Sequence, residues 1–288
     1  TVSFLTLSNL RKNFMDRLHD NTIMTHILIG NHDSYYKNTL KLNSVEELYG
    51  RTPFVQVYDT AETITLGNLR VCLLPWLCSE NEHESYVELD RTDAKLLMGH
   101  LELVGFLMFK GMRSDIGLPK TDFSKFDQVF SGHFHMRNDD GHVYYLGTPY
   151  EMMWSDYNTD RGFHILDTET QELEFIRNPN VLFHKIYYKE DMEIDFSAYS
   201  DKFVRLIVSE KKNPYTFDSF VDELYAVNPA QLSIVEDFDT IEDETVIEGT
   251  EDTITIISNH VTNLATDLDK SRLDKMLRDL YLEAVSIE

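Results

Sequence analysis

Ile27-Leu28-Ile29-Gly30-Asn31-His32-Asp33 is an apolar run that stops at a glycine and opens into polar side chains able to bind ligands. The same grammar returns in Leu96-Leu97-Met98-Gly99-His100 and again in Val129-Phe130-Ser131-Gly132-His133-Phe134-His135. Ligand-bearing loops of open α/β sheets gather at the carboxyl ends of strands, where several tips share one crevice. A glycine at each tip lets the chain turn sharply and come close to a bound group. Residues two apart in an extended stretch point the same way, so the spacing predicts that His133 and His135 face one site with Phe134 packed behind them.

Outward from these tips, further strands are expected at 54–58, 63–66, 69–76, 104–109, 143–146 and 162–166, with a polar helix over 80–91. Strands interspersed with helices indicate a layered α/β domain ending near Asn178-Pro179-Asn180, a turn-rich junction. Beyond it, strands are expected over 181–188, 203–208 and 231–235, with a helix over 214–227, making a small α+β unit. Glu236 to Asp252 holds nine acidic residues and no basic one, which reads as a solvated linker. Ile257, Val261, Leu264 and Leu268 then form one helical stripe, and Leu273, Met276, Leu277 and Leu280 a second. That stripe can pack on its own domain or dock on a partner.

The 288 residues are 42% hydrophobic and 26% charged, which excludes a disordered chain, a collagen and a coiled-coil rod. No apolar run approaches a membrane span. Two cysteines, Cys72 and Cys78, are too few for a disulfide framework and point to a reducing cytoplasm. The net charge of −24 repels phosphate backbones at long range, so any nucleic acid must be held by a local basic patch, a metal ion or a partner. Lys110, Arg113 and Lys120 crowd one loop and are candidate phosphate contacts. Leu7, Leu10, Phe14 and Leu18 recur at helical spacing from the start of the chain, so residue 1 is expected to fall inside a longer polypeptide.

Imidazoles with an Asn carbonyl oxygen, and no thiolate, make a donor set suited to Mn, Fe or Zn rather than to a Cys-zinc site. Two such ions about 3.5–4 Å apart would stabilise attacking and leaving oxygens in phosphoryl transfer. A histidine beside the ligands could protonate the leaving oxygen. The remaining histidines, His19, His26, His83, His142, His164, His184 and His260, read as structural.

The order Gly30-Asn31-His32-Asp33, Gly99-His100, Gly132-His133-Phe134-His135 resembles the calcineurin-like metallophosphoesterases. The small unit after Asn180 and the helical tail are similar to the SbcD-type nuclease subunits. Val104 to Arg113 and Gly147 to Tyr150 look closest to the recombination nuclease subunits of the T4-like viruses. The resemblance implies a four-layer α/β/β/α metallophosphoesterase domain over 1–180, a capping, DNA-binding α+β domain over 181–236, the acidic linker 237–252 and a helical segment 253–288 that binds an ABC-type ATPase.

By position it implies that Asn31, His100 and His133 ligate one metal and His135 the other, with His32 catalytic and Asp33 orienting the loop. It further implies two divalent ions (Mn²⁺, with Mg²⁺ possible), DNA as substrate, and a homodimer within a heterotetramer working in the host cytoplasm. The family's opening Asp-x-His and Gly-Asp-x-x-Asp motifs do not occur before Gly30 in this sequence, so these residues make about half a site. The expected function is a metal-dependent DNA nuclease subunit of a break-repair and recombination complex. The alternatives are a phosphoesterase for other phosphoesters and a non-catalytic structural subunit.

Overall fold

The computed structural model describes residues 3–236, 261 and 269–285. The described residues form two compact units, one within 1–152 with 158–181, the other within 153–157 with 182–288.

The first unit opens with a helical stretch, α1 (Phe4–Leu10) running through a π-turn at Arg11–Met15 into α2 (Asp16–Asp20). Strand β1 (Thr25–Leu28) follows, then a hairpin of β2 (Ser34–Tyr36) and β3 (Thr39–Asn43). Helix α3 (Ser44–Tyr49) is capped by Asn43, whose carbonyl oxygen accepts from the Glu46 amide at 2.7 Å. Strand β4 (Val55–Tyr58) then pairs in parallel with β1.

A six-stranded sheet follows. Its strands are β5 (Glu62–Leu66), β6 (Leu69–Leu74), β7 (Leu96–Gly99), β10 (Gln128–Ser131), β11 (Asn138–Asp139) and β12 (Val143–Tyr145). Helix α4 (Glu82–Arg91) connects β6 to β7. A small hairpin of β8 (Leu107–Phe109) and β9 (Met112–Arg113) lies between β7 and β10. The sheet order is β11-β12-β10-β7-β6-β5, parallel from β12 to β6 and antiparallel at both edges. A further hairpin, β13 (Gly162–Leu166) with β14 (Leu173–Arg177), closes the unit.

The central strands are apolar almost throughout because both sheet faces are covered. Cys72, Leu74, Leu97 and Val129 point to one side, joining Leu89 of α4, Phe123 and Phe126. Their neighbours Val71, Leu73, Leu96 and Phe130 point to the other, against Tyr58 of β4, Leu166 and Leu173. Beyond β1 and β4, a third cluster packs Met15, Val45 and Tyr49 on Ile27, Val55 and Val57. The unit is therefore mixed α/β. The sequence reading misses β2, β3, α3, β9, β11 and β14, and of the expected 104–109 strand only Leu107–Phe109 forms, in a hairpin.

In the second unit, β15 (Phe183–Tyr187), β16 (Phe203–Val208) and β17 (Gln231–Glu236) form a parallel sheet. Helix α5 (Pro214–Ala226) joins β16 to β17, with Asn213 at its N-cap and Pro214 in its first turn. Val204, Leu206 and Val208 face Phe217, Phe220 and Leu224 of that helix. Trp154, from the 153–157 segment, packs edge-on to Phe183 at 4.9 Å and under the Arg205 guanidinium at 4.2 Å.

The terminal helix is Lys270–Val285. Met276 and Leu280 are exposed, Leu273 and Leu277 half-buried, and Val261 is buried. Ile257, Leu264, Leu268 and the acidic stretch 237–252 lie outside the described residues. Among the described residues no helix is long and apolar enough to cross a membrane.

Candidate metal centre at the strand tips

Backbone pairing continues past the ends of the strands and draws their tips into register. The Trp76 amide donates to the Ile29 carbonyl at 2.9 Å, joining the tip of β1 to the extension of β6. His100 donates to Leu74, Gly132 to Gly99, and Leu146 to Ser131, each at 3.0 Å. Five neighbouring chain segments thus end at one level, and the polar residues after them are forced to share space.

The Asn31 side-chain oxygen stands 3.0 Å from His100 Nε2 and 3.3 Å from His133 Nδ1. The two imidazoles are 5.3 Å apart between ring centres, edge to face. Trp76 lies 5.1 Å from the His133 ring and 6.1 Å from that of His100. Glycine makes this closeness possible. A Cβ on Gly30 would stand 2.8 Å from His100 Cε1, and one on Gly132 would stand 3.1 Å from Nδ1 of the same ring. His100 therefore sits in a slot cut by two missing side chains.

Asp33 fixes the loop that carries Asn31. Its carboxylate accepts from the Gly30 amide at 2.8 Å and from the Ser44 hydroxyl at 3.4 Å. Its own amide donates to the Gly30 carbonyl at 3.2 Å. His32, on the same turn, is exposed. On the β7 side, Ser131 Oγ accepts from the Leu101 amide and the Tyr145 hydroxyl donates to the Leu101 carbonyl, both at 2.9 Å, which pins the backbone after His100.

One expectation fails in its geometry. Strand β10 stops at Ser131, and His133 has φ +77, so the segment is bent rather than extended. Alternation along a strand therefore does not place His133 and His135. Phe134 is nonetheless buried, 4.6 Å from Tyr145. A non-glycine residue at positive φ costs of order 1 kcal/mol or more and persists where the surroundings impose it. Here those are the Asn31 contact, the Trp76 ring and the Phe134 anchor. His135 is half-buried, and its carbonyl accepts from the Thr148 amide at 3.1 Å and from the Arg161 guanidinium.

Burial pushes the His100 imidazole down to about 3, and the neighbouring His133, His32 and His135 push the same way. A neutral ring is the form that binds a cation. Among the described residues no group of three or more His, Cys, Asp or Glu is arranged to hold a metal ion. The amide oxygen of Asn31 adds one donor to the two imidazoles. Ligands about 2.1 Å from a shared ion at right angles lie roughly 3 Å apart, the spacing found between Asn31 and each imidazole. The donors fit part of a coordination shell.

Three residues escape the sequence reading. Glu102 Oε1 stands 3.8 Å from His133 Nε2, and its His-x-Glu spacing after Gly99 is a signal that was there to read. Trp76 follows β6 as His100 follows β7. Arg161 is buried, donates to Thr148 Oγ1 at 2.6 Å and braces the His135 backbone. Of the basic loop, Lys110 is exposed, Arg113 donates to the Gly105 carbonyl at 2.6 Å, and Lys120 pairs with Asp140 at 2.6 Å.

These features define a mixed α/β protein whose polar site is assembled at the carboxyl tips of parallel strands from imidazoles and an amide. No profile of a known family matches the chain. It is 34% identical over 278 residues to exonuclease subunit 1 of Enterobacteria phage T4, a match covering 95% of this chain and 80% of that protein. The chain belongs to the exonuclease subunit 1 family.

Proposed function

We propose that the chain is the nuclease subunit of a phage DNA recombination and repair complex, hydrolysing phosphodiesters with divalent metal ions, Mn²⁺ foremost. The observation that carries this reading is the meeting of Asn31, His100 and His133 within 3.0–3.3 Å contacts at the ends of β1, β7 and β10. Asn31, His100 and His133 would hold one ion, and His135 would belong to a second. Bound ions would supply the positive charge that activates water and stabilises the developing oxyanion.

The chain's own residues set the stage for that chemistry. Asp33 holds the Asn31–His32 turn, and Arg161 holds the backbone of His135. His32, exposed on its turn, would donate a proton to the leaving oxygen. Glu102 beside His133 would orient that ring. The α-helix, sheet, strand and helix clusters of the first unit support the family's four-layer arrangement. Residues 181–236 would cap the DNA, with Lys110, Arg113 and Lys120 as local phosphate contacts. The apolar stripe of the terminal helix would dock on an ABC-type ATPase in a heterotetramer, acting in the host cytoplasm. That partner would offset the net charge of −24 in gripping DNA.

The test is cleavage of DNA in Mn²⁺ by the intact protein with its partner. His100→Ala should lower cleavage by on the order of 10²–10³-fold, and His32→Ala should lower turnover with Mn²⁺ binding retained. Wild-type cleavage by either variant would overturn the role given to that residue.

A further inference from the structure

We propose that the cleft beside the imidazole cluster holds the base of the nucleotide being cut, stacked on the Trp76 indole. This deepens the nuclease reading and rests on it. The cleft measures about 340 Å³ and is lined by Trp76, Leu77, Cys78, His100, Glu102 and Leu118 among others. That is at the lower end of the roughly 300–1,000 Å³ of small-molecule sites, and suits one nucleoside. His100 is a wall of the cleft and a member of the cluster, so a phosphate held at the cluster brings its own nucleoside to the opening.

The walls decide which part enters. Trp76 and the leucines offer a flat apolar surface, which a base matches and a phosphate does not. Glu82 and Glu102 also line the cleft. Carboxylates there repel phosphate but accept hydrogen bonds from exocyclic amino groups, as Glu does from cytosine N4. Adenine, cytosine and guanine carry such an amino group, and thymine does not. Trp76 is held for the task, its amide fixed on Ile29 and its ring set against His133. The proposed phosphodiester chemistry makes no other use of this indole.

The experiment titrates the intact protein in Mn²⁺ with deoxycytidine 5′-monophosphate, thymidine 5′-monophosphate and deoxyribose 5-phosphate, following tryptophan emission. Only Trp76 and Trp154 are present, so Trp76→Phe reports Trp154 alone. The cytidine nucleotide should quench the wild type more strongly than the thymidine nucleotide, and the sugar phosphate should not quench. Trp76→Phe should lose the quench, and Glu102→Gln should narrow the preference for cytosine. In cleavage assays Trp76→Ala should raise KM about tenfold with a smaller change in kcat. Quenching by the sugar phosphate, or undiminished quenching in Trp76→Phe, would overturn the proposal. A wild type that cuts DNA but shows no quenching removes the base pocket and leaves the nuclease reading standing. A chain that is quenched yet cuts no DNA keeps the pocket and removes that reading.

Discussion

The central parallel strands of the first unit's sheet and the parallel sheet of the second unit solve the same packing problem in different ways. In the second unit β16 alternates, with Val204, Leu206 and Val208 buried against α5 and Phe203, Arg205 and Ile207 on the other side, only partly covered. In the first unit β6, β7 and β10 are buried on both faces, and their polar residues are confined to Arg70 and Gln128 near strand starts and Ser131 at a strand end. A sheet covered on both faces leaves polar chemistry only its strand tips. Histidines and an asparagine are concentrated there, while the half-covered sheet spreads its polar groups along the strands.

The sharpest test of this contrast compares Leu97→Ala with Leu206→Ala. Both side chains are fully buried, so each change should cost about 2–5 kcal/mol in denaturant unfolding. Leu97 lies three residues before His100, and its cavity should also disturb the imidazole resonances of the cluster and lower cleavage. Leu206→Ala should leave those resonances in place. If the two variants perturb the cluster alike, the strand-tip account of the site is wrong.

A smaller but more local effect is expected at Gly30. Its Cβ position is 2.8 Å from His100 Cε1 and 2.9 Å from Nε2, and the ring is hemmed in from Gly132. Gly30→Ala should therefore cost about 1–3 kcal/mol and push the imidazole away from Asn31. Cleavage should fall at least about tenfold, one decade being roughly 1.4 kcal/mol of lost transition-state stabilisation. Unchanged cleavage with unchanged Mn²⁺ affinity would mean that the slot around His100 does not position it.

Much of this contrast was legible in the amino-acid order. The apolar run ending in Gly-His marks a doubly covered strand and its tip together, and β13 and β16 fall where composition places them. The hairpin of β2 and β3 was not legible, because Tyr35-Tyr36-Lys37-Asn38 lacks the glycine turn that announces a two-residue loop. Segment 153–157 joins the second unit through Trp154 and Tyr157, and nothing in its composition signals that. At the site, the bend at His133 follows from contacts with Asn31, Trp76 and Phe134, which lie far apart in sequence or depend on rotamers. Arg161 reaches His135 only because β13 returns beside that loop, so its role has no local signature.

The smallest expected effect concerns Lys120, whose ion pair separates a charge spent within the fold from one available to DNA. Burial pushes the Asp140 carboxyl up, but hydrogen bonds from Lys120 and from the Val143 and His142 amides outweigh it and hold the group at about 2. The folded value lies below the unfolded 3.8, so the stabilisation is fully present above pH 3.8 and fades as the pH falls through 2. Lys120→Met should raise the Asp140 value only part of the way to 3.8, because both amides remain as donors. The stability loss at pH 7 should stay below about 1 kcal/mol, since the pair is partly exposed. It should fade as the pH falls through the titration range of Asp140, and wild type and variant should converge only below pH 2. Salt dependence of DNA binding decides what the lysine does in the complex. A lysine that stays on Asp140 leaves the slope unchanged, whereas one that moves to a phosphate makes the slope fall by about one in the variant. Because Asp140 keeps its backbone donors when the lysine departs, we expect the second result, with Lys120 handed from carboxylate to phosphate at little cost.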